Sequence, residues 1–313
     1  MRSVVIGFVA AVAFSFVASP VVRADDDKAD KLWITSFEDA KKTAAMEKLD
    51  IMMEFTGSDW CPPCIALHDN VLTKETFTKT APKKFVLLKL DNPRDKSKQT
   101  EEEKLQYKKL SKKFNVSGVP TVFLVDAKGR PYAKFVGYSR AMSAEVYTNR
   151  LVEATKTRAM RDEYFAKAAK AKGLKKAKLL AKGIGVIGND LALAFYRNKV
   201  DQIIELDTDN KAELKNKFVN MVKAGDVKKA LSSIQQKHRR DAKAGTKAIE
   251  KLIANEKLEG AALQEALYIK AMYLYQQQDK EASKAVLEEA VEAAPDTAKA
   301  ATIRRILSRV FKD

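Results

Sequence analysis

The stretch Phe55-Thr56-Gly57-Ser58-Asp59-Trp60-Cys61-Pro62-Pro63-Cys64 decides the reading of this 313-residue chain. It continues an apolar, strand-like run, Ile51-Met52-Met53-Glu54-Phe55, through a loop at residues 56–59 into a helix expected to reach about Leu72. Cys61 and Cys64 are the only cysteines in the sequence. A bridge between positions so close together removes little chain entropy from the unfolded state, so reactivity explains the pair better than structural stapling. Thiol–disulfide exchange needs one thiolate that attacks and a second thiol that resolves the mixed disulfide. A helix start supplies both: Cys61 at the N-terminus, where unpaired N–H groups and the macrodipole favour its thiolate, and Cys64 one turn inward as resolving thiol. Pro62 and Pro63 stiffen that first turn, where missing N–H groups cost little.

One other use of the pair stays open, metal binding. A structural zinc site wants four ligands, and beyond the two cysteines only His68 and His238 offer imidazole; a Cys61–Cys64–His68 cluster is geometrically conceivable. His68 reads more simply as a helix-surface residue near the cysteines. No cofactor is expected.

On either side of this stretch, helical and strand-like segments alternate from Lys31 to Tyr138. Residues 37–49 are rich in Ala, Lys and Glu and read as a helix, 85–90 as a strand ending at Asp91-Asn92-Pro93, and 101–114 as a helix. Ser117-Gly118-Val119-Pro120 is a turn into the strand 121–125, and Lys128-Gly129 marks a hairpin to the strand 132–136. Such alternation predicts an α/β domain.

Across roughly residues 31–155 the sequence resembles the thioredoxin superfamily. FTGSDWCPPC is similar to the strand-loop-helix active site of exported thioredoxin-like proteins, including Trp60 before the first cysteine, and SGVPTVFLV (117–125) is similar to the family's cis-proline strand. The resemblance implies a mixed sheet flanked by helices, a cis Val119–Pro120 bond beside the cysteines, and catalysis by Cys61 and Cys64 with support from Trp60, Pro62, Pro63, Val119 and Pro120. It also implies that Glu54, where the family usually has aspartate, takes the proton of Cys64, with Lys89 as its partner and burial raising its pKa toward that task. A purely structural Glu54–Lys89 ion pair is the competing account.

Upstream, Met1-Arg2-Ser3, the apolar run from Val4 to Ala18 and the segment ending Val22-Arg23-Ala24 have the layout of a secretory leader cut after Ala24. That reading predicts a periplasmic or secreted protein; an uncleaved anchor is the alternative, since Val4 to Val22 nearly reaches bilayer length. No cysteine stands near the cleavage point to carry a lipid.

Downstream of about Ser143 helix formers dominate and Pro295 is the only proline. The expected organisation is a leader at 1–24, a thioredoxin-like domain at 25–155 and an all-α repeat or bundle domain at 156–313. Two stretches resemble degenerate tetratricopeptide repeats. One has Leu214, Phe218, Met221, Ala230 and Ile234 at packing positions with a break at Gly225-Asp226; the other has Leu267, Ala271, Leu274, Ser283, Leu287, Ala290 and Pro295. Lys217 and Lys270 depart from the repeat pattern.

The net charge is +17, and Lys156, Arg158, Arg161, Lys167, Lys170, Lys172, Lys175, Lys176, Lys178 and Lys182 face only Asp162 and Glu163. A solvated helix face is the simplest account, with attraction to anionic lipid, acidic partners or polyanions as the functional one. No nucleic-acid motif accompanies the charge, so nucleic acid is not an expected partner. The combined reading is an exported oxidoreductase that reduces or isomerises protein disulfides, recycled by a redox partner, with an acidic protein or peptide as ligand of its helices. The alternative is a partner-binding helical-repeat protein whose thioredoxin-like domain is regulatory or vestigial.

Overall fold

The computed structural model describes residues 29–311; the expected leader at 1–24 lies outside them. No helix among the described residues is long and apolar enough to cross a membrane. The chain divides into two compact units, residues 1–155 and 156–313.

The first unit is built on five strands: β1 (Trp33–Ile34), β2 (Asp50–Thr56), β3 (Phe85–Asp91), β4 (Thr121–Val125) and β5 (Pro131–Val136). Their order across the sheet is β1-β3-β2-β4-β5. The first three run parallel, and β4 and β5 are each antiparallel to the preceding neighbour. Between them run α1 (Phe37–Glu47), α2 (Pro62–Leu67), α3 (Glu75–Thr80) and α4 (Glu101–Lys113). All seven residues of β2 are buried, which is why this strand reads as an unbroken apolar run with both faces covered. On one face Phe55 meets Phe114, Phe123 and Tyr107 at ring-centroid separations of 5.9–6.3 Å. Thr100 and Glu103 close a reciprocal capping box that starts α4.

The sequence reading missed α3 and β1. A two-residue strand has no measurable period, and Trp33 holds its place by parallel pairing with Leu87 and by stacking on Phe77, both distant in sequence. The helix opened by the cysteines also differs from expectation: its α-helical part ends at Leu67, and His68–Leu72 continue as a turn of π-helix.

From Ala144 the chain is helical: α5 (Ala144–Ala169), α6 (Gly173–Ile187), α7 (Asn189–Phe195), α8 (Arg197–Leu206), α9 (Leu214–Lys237), α10 (Ala242–Glu256), α11 (Gly260–Gln276), α12 (Lys280–Ala293) and α13 (Ala298–Val310). The break expected at Gly225-Asp226 does not exist, because α9 runs through it. Gly225 is a close-approach residue: a Cβ there would collide with the Leu193 side chain. The second stretch does form a helical hairpin, α11 and α12, burying Leu267, Ala271, Leu287 and Ala290 with Ile303 of α13. Lys270, out of place in a repeat, bonds Glu250 of α10 at 2.9 Å.

Buried polar groups in this unit are matched. Asp207, 2% exposed, accepts from the backbone N–H groups of Ala212, Leu214 and Lys215 at 2.9–3.2 Å and so secures the start of α9. Gln264 of α11 donates to the carbonyls of Ala290 and Ala294 at 2.9 and 2.8 Å, and its own carbonyl accepts from the Thr297 hydroxyl that caps α13.

Candidate active site

The loop between β2 and α2 is tied down from one side. Asp91, at the end of β3, accepts from Ser58 N–H at 3.0 Å, the Ser58 hydroxyl at 2.5 Å and Asn92 N–H at 2.8 Å. The Trp60 indole N–H donates to the Asn92 carbonyl at 2.8 Å, and the Arg94 guanidinium sits 5.8 Å above its ring. Gly57 lies under that indole, where any side chain would collide with it. Asp59 accepts from the N–H groups of Arg94 and Asp95, which hold its carboxyl below the usual range. None of these tethers involves a cysteine; their common effect is to fix where Cys61 begins the helix.

Cys61 is the N-cap residue, extended at φ −99° and ψ 103°. Its carbonyl accepts from Cys64 N–H at 2.9 Å and Ile65 N–H at 3.0 Å. The two cysteines are joined in a disulfide with Cα atoms 5.2 Å apart. Cys61 is 3% exposed and Cys64 1%, so the two sulfurs differ little in exposure in the oxidised state although Cys64 lies one turn further into the helix. Cys61 Sγ lies 3.4 Å from the Val119 carbonyl, and the Val119–Pro120 bond is cis. Pro62 and Pro63 are exposed beside it.

The helix start offers the Cys61 sulfur less than its position suggests. An N-cap side chain is served by the N–H of the second or third helical residue. The second is Pro63, which has none, and the third is Cys64, whose N–H is taken by the Cys61 carbonyl; the sulfur accordingly receives no capping hydrogen bond.

Glu54, 2% exposed, lies in β2 between Lys89 of β3 and Val122 of β4 in the strand register. Burial pushes its carboxyl up to about 7, against the opposing pull of the Lys89 and His68 charges and a hydrogen bond from Thr56. Burial, and secondarily the charge of Glu54, also raises the phenol of Tyr147 on α5. The Lys89 ammonium is not paired with Glu54 in a direct ion pair. It lies 3.3 Å from Asp30, whose same oxygen is 3.8 Å from His68 Nε2. Sequence placed His68 near the cysteines but not beside Glu54, and it gave no sign that Asp30 would meet Lys89 or that Tyr147 would feel the charge of Glu54, since each arrives from a different segment. His238 caps the end of α9 in the other unit. Among the described residues no group of three or more His, Cys, Asp or Glu side chains could hold a metal ion.

Residues 37–151 match the thioredoxin-like domain family, and this part of the chain is a thioredoxin-like domain. The chain is similar to the disulfide bond reductase DsbH of Chlamydia pneumoniae, 29% identical over 123 residues that cover 39% of this chain and 72% of the relative. It is also similar to the thioredoxin-related protein DsbJ of the same organism, 26% identical over 99 residues, spanning 28% of that relative's length. A solved structure titled DsbH oxidoreductase aligns at 26% identity over 40% of this chain and 83% of its own, with a TM-score of 0.37.

Proposed function

We propose that the protein is an exported thiol–disulfide oxidoreductase that reduces or isomerises disulfides of other proteins, with Cys61 as nucleophile and Cys64 as resolving thiol. The observation that carries this reading is the Cys61–Cys64 disulfide at a helix start, with Cys61 Sγ 3.4 Å from the Val119 carbonyl. In this scheme Cys61 attacks a substrate disulfide and one substrate thiolate leaves. Cys64 then attacks Cys61 Sγ, closing the internal disulfide and releasing the second substrate thiolate. Glu54 accepts the Cys64 proton; a carboxyl near 7 is suited to exchanging it at neutral pH. Lys89 tunes that carboxyl by its charge, Trp60 and the two prolines hold Cys61 in place, and Val119 and Pro120 line the approach.

The reducing direction is supported by the two prolines. A thiolate deprived of N–H donors is less stabilised, and a less stabilised dithiol gives up electrons more readily. The disulfide bond reductase among the relatives points the same way. The apolar run before Ala24 supports export, the two units support the 25–155 and 156–313 division, and the basic character of the helices supports an acidic protein or peptide as their ligand. A second, recycling redox protein is required by the stoichiometry. Equilibrating the protein with glutathione buffers tests the assignment: the potential is expected nearer thioredoxin's ~−270 mV than the ~−120 mV of the strong periplasmic oxidant, with turnover of an insulin disulfide substrate. A potential at the oxidising end overturns the reducing role.

A further inference from the structure

The ten basic residues between Lys156 and Lys182 do not act as one face. Arg161 is fully buried and donates to the Tyr196 hydroxyl at 2.6 Å and to Asp162 at 2.9 Å. Arg158 also meets Asp162, and Lys167 is bonded to Glu163. What remains is concentrated where α5 turns into α6. Lys170, Lys172, Lys175, Lys176 and Lys178 have no acidic side chain within 4 Å among the described residues. The Lys182 ammonium lies 5.9 Å above the Tyr164 ring and Gly183 packs against Tyr164 and Phe165, so α6 folds back onto α5 and these lysines gather about the turn between the two. The first turn of α6 contains no acid and its N-terminus has no side-chain cap, which leaves the repulsion uncompensated from within. Leu174 projects from the middle of the cluster, 36% exposed.

The composition of the tip distinguishes its partners. From Lys167 to Lys182 every basic residue is lysine and the segment holds no aromatic residue. Protein interfaces are depleted in lysine and favour arginine and aromatic anchors, and single-stranded nucleic acid is gripped by stacking side chains that are missing here. Lysine's flexible stem and compact charge suit a diffuse, fluid array of anions, reached by snorkelling around an apolar residue that enters the headgroup layer. We propose that the tip formed by Lys170, Lys172, Leu174, Lys175 and Lys178 is a contact for an anionic bilayer surface. This assignment is independent of the redox chemistry, and at this tip it replaces an acidic peptide as occupant.

The test is vesicle co-sedimentation of the chain from Asp25 onward, so that the apolar leader contributes nothing. Vesicles of phosphatidylcholine with 30% phosphatidylglycerol are compared with pure phosphatidylcholine. Binding is expected to the anionic vesicles alone and to fall steeply with salt, since each lysine near such a surface contributes about a five-fold factor in partitioning at low salt. Replacing Lys170, Lys172, Lys175 and Lys178 by Gln should lower partitioning by more than a hundred-fold on that scale. A control with Lys217, Lys223, Lys229 and Lys280 changed to Gln has the same net charge and should retain most of it. Leu174→Ser should weaken the residual binding at high salt. Circular dichroism confirms that each variant is folded. Equal loss in both quadruple variants, failure of the unaltered chain to bind anionic vesicles, or binding to poly-glutamate but not to vesicles would each overturn the proposal.

Discussion

Each unit of this chain buries a carboxylate, and the two are treated differently. Asp207 has its oxygens occupied by three backbone N–H groups that secure a helix start, and it can do little besides hold them. Glu54 is equally buried but lacks a direct ion pair, since Lys89 is turned toward Asp30, and its carboxyl is pushed up to about 7. A buried acid with its acceptors filled is part of the scaffold; one left to exchange a proton near neutral pH is available for chemistry. The same contrast extends to the surroundings. Around Cys61 the structure fixes a loop and leaves the reacting sulfur without a capping hydrogen bond, whereas in the helical unit the buried side chains of Asp207 and Gln264 satisfy backbone ends.

The comparison can be broken most decisively at Cys61. Cys61→Ser should lower insulin reduction on the order of a thousand-fold, because a hydroxyl cannot replace the thiolate as nucleophile. Survival of most activity would shift the chemistry elsewhere in the chain.

The next effect separates the two acids by pH. Glu54 is protonated in both folded and unfolded chains below its ordinary value of 4.5, and only in the folded chain between 4.5 and about 7. Its contribution to stability is therefore complete below 4.5 and is lost as pH rises through 7, by up to about 3 kcal/mol. Urea melts from pH 4.5 to 8 should show this decline, and Glu54→Gln should flatten it. An unaltered slope in the variant would mean that Glu54 does not carry the titration.

The smallest effect sharpens the other side. Asp207→Ala should cost about 1–2 kcal/mol through loss of the helix-start hydrogen bonds, read in the same melts, while the reduction potential stays where it was. A shift in potential would show that the helical unit is not merely scaffold around this residue.

Sequence legibility differed with the range of the interaction that fixed each feature. Cys61, Pro62, Pro63 and Cys64 are adjacent, and helix-start geometry follows from their own backbone preferences, so their arrangement could be read directly. That Glu54 and Lys89 stand near each other followed from the resemblance to thioredoxins, and the register of β2 on β3 sets them side by side. Lys89's contact with Asp30 could not be read, since residues 59 positions apart meet only after folding. Gly225 misled for a different reason: glycine signals a chain break or a close approach with the same letter, and only the position of Leu193 tells which. From Ala144 onward the helical character was legible, but the continuity of α9 through Gly225 and, beyond the α11–α12 hairpin, the pairing of the helices were not, because an amphipathic face does not name its partner.

Gln264 links segments far apart in this helical array. Its amide meets chain ends 26 and 30 residues away and its carbonyl a cap 33 residues away, so one side chain in α11 touches the finish of α12 and the beginning of α13. Opening the end of α12 would strip the buried amide N–H of its two carbonyl acceptors, and opening the start of α13 would strip its carbonyl of the Thr297 hydroxyl. Backbone amide protons of α11, α12 and α13 are accordingly expected to exchange with solvent together, the last fifty residues opening as one unit of local unfolding instead of three that fray separately.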